Sequence, residues 1–134
     1  MGLEFMKKTN YAISNLEKAI GRLEEAVNQT DVNEFVIDAT IQRFEFCIEL
    51  FWKTLKKLML SEGIQTSTPK DTLTKAYENK WLEKGDIWLQ MLNDRNETSR
   101  VYIENKAREI YQHIHAYFPE IKKAFLSLKT KFSK

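Results

Sequence analysis

Seven apolar residues, Ile37, Ile41, Phe44, Ile48, Phe51, Leu55 and Leu58, follow one another in steps of four and three. At about 100° per residue they make one stripe down a helix, and a strand, with its two-residue period, cannot produce it. A second arc lies nearly opposite and carries Phe35, Ala39, Phe46 and Leu50. Asp38, Glu45, Glu49 and Lys56 fill the remaining arc. A helix over about 33–62 with two apolar faces must cover both. It is either the centre of its domain or it lends one face to another chain, and Phe35, Phe46 and Leu50 are the candidate interface.

The same period runs through most of the chain. Ile13, Leu16, Ile20, Leu23 and Val27 alternate with Glu17, Lys18, Arg22, Glu24 and Glu25, which predicts a one-sided surface helix. Asp31 or Asn33 is placed to cap the long helix, and Gly63 to end it. Thr68-Pro69-Lys70-Asp71 announces a short helix with a Thr cap, a first-turn Pro and an acid at the positive end. Its face is Leu73, Ala76, Tyr77 and Trp81. Gly85-Asp86 restarts the chain, and Ile87, Trp88, Met91 and Leu92 form the next face. Ala107, Ile110, Ile114, Tyr117, Ile121, Phe125, Leu128 and Phe132 hold the phase to the end. Pro119 falls inside that run, so a kink or a break into two helices is expected there.

These segments predict an all-α, up-and-down bundle of about five to six helices, three of them long. At 134 residues it has room for one core. Four Gly and two Pro are too few for a hairpin-rich β protein, and the Gly are too scattered to cradle phosphate. The domain is expected over 10–134. Residues 1–9 are expected to be disordered or a cloning remnant, on the hint of a second methionine at Met6. No apolar stretch approaches the roughly 20 residues of a membrane span. The start lacks the apolar core of a signal peptide, and the single cysteine, Cys47, fits a reducing cytoplasm.

Little in the chain promises chemistry. Net charge +2 is a weak basic excess for a nucleic-acid binder. Glu109 and His113 stand four apart with no second copy, so neither a di-metal centre nor any cofactor is expected. His113 and His115 point to different helix faces and read as boundary residues. Cys47 lies among apolar neighbours, where burial raises a thiol pKa. Glu45 and Glu49 share a polar arc, which is usually a solvated face. The lysines Lys122, Lys123, Lys129, Lys131 and Lys134 read as complements to a helix C-terminus.

One segment stands out. Arg95-Asn96-Glu97-Thr98-Ser99-Arg100-Val101-Tyr102 is mostly polar between two apolar stretches. Two arginines near the start of the last helix would join guanidinium forks to free backbone N–H groups and suit an anion. The plain alternative is that Thr98 or Ser99 caps that helix and the arginines are solvated.

Several blocks in order then carry a resemblance: Gln42-Arg-Phe-Glu-Phe-Cys-Ile-Glu-Leu-Phe-Trp-Lys-Thr-Leu55, Pro69 with Ala76-Tyr77, Asp86-Ile-Trp-Leu-Gln-Met-Leu-Asn-Asp-Arg-Asn-Glu-Thr-Ser99, and Tyr102 with Ala107 and Ile110. Over roughly 10–130 the chain resembles the nucleotidyltransferase substrate-binding proteins of the HEPN superfamily. The resemblance implies a homodimer and a partner, a small nucleotidyltransferase subunit that carries a Gly-Ser loop and an Asp-x-Asp pair. This sequence has neither motif, so it cannot be the transferring subunit. Related ribonuclease toxins carry Arg, a polar residue, and a His five positions after the Arg. Arg95 and Asn96 match, but Arg100 stands where the His should be. Arginine has no acceptor lone pair and cannot serve as general base. The expectation is a non-catalytic substrate-binding subunit, with a degenerate ribonuclease or toxin of a toxin–antitoxin module as the alternative. Arg95, Asn96, Ser99, Arg100 and Tyr102, supported by Glu45 and Lys53, are expected to line a cleft for an anionic substrate, such as a nucleotide or RNA, or for a segment of the partner.

Overall fold

A computed structural model describes the backbone of residues 3–98 and 104–132 and the side chains of 7–98 and 105–132. Within them the chain forms five helices: α1 (Leu3–Val27), α2 (Glu34–Ser61), α3 (Pro69–Glu78), α4 (Gly85–Thr98) and α5 (Glu104–Phe132). There is no strand among the described residues. The long helices α1, α2 and α5 pack in all three pairs, and α3 and α4 fill the remaining side against α2 and α5.

The periodic residues build the core as their spacing dictates. Ile37, Ile41, Phe44, Ile48, Phe51, Leu55 and Leu58 are all buried, as are Ala107 through Leu128 of the α5 stripe. Phe44 stacks on Tyr117 of α5, with centroids 5.8 Å apart, and Phe51 meets Trp88 of α4 at 4.6 Å. Removing a ring from such a site costs about 3–5 kcal/mol.

The helix ends follow local chemistry. The Asn33 side chain accepts from the Val36 N–H, and that of Thr68 accepts from the Asp71 N–H. Gly63, at φ +83, closes α2 in the left-handed region that a side chain resists. Gly85 is needed for another reason: a Cβ there would lie 2.8 Å from Cγ of the Tyr77 ring, which packs across it.

Two details depart from the periodic reading. Pro119 does not divide the last helix, and α5 runs through it. Both Pro119 and His115, whose carbonyl loses its bond, face solvent, where water replaces the missing partner. The C-terminal lysines are not simply solvated. Lys129 pairs with Glu17 and Lys122 with Glu24, each at 2.8 Å, and Lys123 with Glu83 at 2.7 Å. They tie α5 across to α1 and to the turn before α4. No helix among the described residues is long and apolar enough to cross a membrane.

Candidate functional site

The last turn of α4 holds Arg95 and Asn96. Thr98 does not cap α5; its hydroxyl donates to the Arg95 carbonyl at 2.9 Å, inside α4, while α5 begins at Glu104. Arg95 therefore stands in the last turn of α4, where the dipole favours its charge. Its guanidinium reaches α2: Nη2 lies 3.1 Å from Glu49 Oε2. Trp52 Nε1 donates to the same oxygen at 3.0 Å, and Lys53 Nζ sits 3.3 Å from Oε1. Arg95 Nη1 also donates to Asn96 Oδ1 at 3.3 Å.

Burial pushes the Glu49 carboxyl up, but hydrogen bonds from Trp52 and Lys53 and the charges of Arg95 and Lys53 outweigh it and hold it below the ordinary range. The result is a corner in which one carboxylate is shared by a guanidinium, an ammonium and an indole. Arg95 and Glu49 are each about one third exposed, 31% and 32%. Both ends of the pair are thus within reach of solvent.

Of the residues that the sequence singles out, Arg95, Asn96 and Lys53 come together here, with Glu49 as the joint. Glu45 is half-buried on the same arc of α2, one turn earlier. Ser99, Arg100 and Tyr102 lie outside the described residues. Phe35 and Phe46 stand 86% and 61% exposed, beside two adjoining hollows of about 410 and 310 Å³ between α1 and α2. Leu50 is half-buried against its own core.

On the other flank of α4 lies a set that the spacing rules passed over. Asp94 is buried, and its Oδ2 accepts from the Tyr117 hydroxyl at 2.6 Å and lies 2.9 Å from His113 Nδ1. Burial, then the hydrogen bond and charge of Asp94, drive the Tyr117 pKa well above the tyrosine range. Nearby, Trp88 Nε1 donates to the buried Glu120 at 3.4 Å. A signal for both acids was in the sequence. Ile87, Met91 and Asp94 step by four and three, as do His113, Tyr117, Glu120 and Ala124. A titratable group on an apolar phase must meet a polar partner inside.

Cys47 is buried and its thiol is pushed up to about 12 by desolvation, which leaves it inert as a nucleophile. No group of three or more His, Cys, Asp or Glu side chains among the described residues is arranged to hold a metal ion. Glu109 does approach His113, 3.9 Å from Nε2.

The chain resembles known proteins over most of its length. A family model described as nucleotidyltransferase substrate binding protein like matches residues 11–130. The probable ribonuclease HepT of Haemophilus influenzae is 30% identical over 94 residues, which cover 66% of this chain and 64% of that protein. The match thus spans less than two thirds of the relative's length. A crystal structure of a Thermus thermophilus protein superposes with a TM-score of 0.74 at 30% identity, covering 89% of this chain and 99% of that one.

Proposed function

Since the chain belongs to the nucleotidyltransferase substrate-binding-like family, we propose that it is the non-catalytic member of a two-subunit system. It holds an anionic substrate while a small nucleotidyltransferase subunit performs the transfer. The carrying observation is the Arg95 corner: a guanidinium 31% exposed, paired with a Glu49 that is 32% exposed, so that an anion from solvent can compete for its fork. The sequence supports the division of labour, since it lacks both the Gly-Ser loop and the Asp-x-Asp pair of a transferring subunit. The exposed Phe35 and Phe46 supply the face for a second copy of the chain.

The likeness to a probable ribonuclease favours a second reading, a degenerate ribonuclease or toxin restrained by its partner. The chemistry at position 100 speaks against it. An arginine there binds phosphate but cannot take a proton from a ribose hydroxyl. Incubating the purified chain with labelled RNA separates the two. We expect intact RNA; cleavage that Arg95→Ala abolishes would establish the ribonuclease instead.

A further inference from the structure

We propose that Glu49 is a built-in competitor for the anion: it occupies the Arg95 fork in the empty chain, and a phosphate group binds by displacing it. The inference rests on the reading of the Arg95 corner as a substrate site and adds how that site is held closed.

The argument begins with what the carboxylate touches. Its two oxygens face two different cations, one from each helix. Arg95 Nη2 of α4 lies 3.1 Å from Oε2, and Lys53 Nζ of α2 lies 3.3 Å from Oε1. A phosphate also presents several oxygens to a guanidinium fork and can span the same pair. Glu49 thus marks where the oxygens of a bound ligand would stand.

Displacement strands no charge. Trp52 and Lys53 follow Glu49 by three and four residues, so both lie beside it on α2. When the guanidinium turns to another anion, the carboxylate retains the Trp52 indole N–H, and the three donors of the Lys53 ammonium serve both anions. Exposure makes the exchange cheap. Glu49 and Arg95 are part-exposed and Lys53 is exposed, and pairs this open contribute little to stability. The tethered carboxylate still competes as though present at roughly millimolar concentration, which keeps stray monoanions off the fork. A phosphate monoester near pH 7 carries more charge than one carboxylate and overcomes it.

Calorimetric titration of the full chain with inorganic pyrophosphate, at low ionic strength, tests the assignment. Glu49→Gln keeps the size of the side chain and an acceptor for Trp52 but removes the competing charge. It should bind about fivefold more tightly than the native chain, the contribution of one exposed pair. Glu49→Asp withdraws the carboxylate from the fork while keeping its charge, and its affinity should fall between the two. Arg95→Ala should lose binding, and Glu49→Gln added to it should restore none. If Arg95→Ala loses binding but Glu49→Gln binds no more tightly than the native chain, the competitor is overturned and the substrate site stands. A gain from Glu49→Gln in the absence of Arg95 would overturn it equally. If Arg95→Ala binds as the native chain does, or if no variant binds pyrophosphate, the substrate-site reading fails and the proposal falls with it.

Discussion

Asp94 and Arg95 are consecutive, yet they live in different surroundings. Asp94 turns to α5 and disappears from solvent, clamped by Tyr117 and His113. Arg95 turns to α2 and keeps about a third of its side chain in water, sharing Glu49 with Lys53 and Trp52. The first arrangement ties α4 to α5 out of solvent. The second is part-exposed and shares one carboxylate among three donors. In one turn of one helix a buried charge cluster and a part-exposed one lie on opposite flanks, and only the second leaves its charge within reach of solvent, as the proposed binding role requires.

Removing the carboxylate tests the buried flank most severely. Asp94→Ala strands a tyrosine hydroxyl and an imidazole, and we expect it to lower stability by about 3 kcal/mol in urea denaturation. A loss as small as that of a surface change would erase the distinction between the flanks. Tyr117→Phe removes one donor and keeps the ring on Phe44, so the expected loss is about 1–2 kcal/mol.

Alkaline pH sharpens the same point. The folded state holds the Tyr117 proton more tightly than the unfolded chain, whose tyrosine ionises near 10.0. That contribution is whole below 10.0 and lost progressively above it. The urea midpoint of the native chain should fall above this pH more steeply than that of Tyr117→Phe. The smallest effect belongs to the exposed flank: Arg95→Ala should change stability by less than about 1 kcal/mol. A large loss there would make Arg95 a structural residue and remove the basis for reading it as a binding group.

The bundle was legible because its core repeats. Ile37 to Leu58 and Ala107 to Leu128 state their buried faces through spacing alone, and Asn33, Gly63 and Thr68 state the helix ends through cap chemistry. The site was less legible. Arg95 was visible as part of a polar interruption, but its partner Glu49 was not distinguishable from Glu45, because choosing between two acids on one arc needs the position of α4. Asp94 was given no role, although it occupies an apolar phase, because its partners Tyr117 and His113 lie on α5 and spacing along one helix does not say which residues of another it meets. Arg95 was placed near the start of the last helix, whereas it lies in the last turn of α4; Thr98, one of the two cap candidates, is itself part of α4, and Ser99 lies outside the described residues. A polar run does not show where one helix stops, and α4 includes Thr98.

The central claim is that this polypeptide binds while another reacts. Size-exclusion chromatography with light scattering, on the chain co-expressed with a nucleotidyltransferase subunit of its own genome, addresses that claim head-on. The account predicts a single co-migrating species containing both polypeptides in constant ratio. Two separate peaks, with the present chain eluting alone at every concentration, would contradict it.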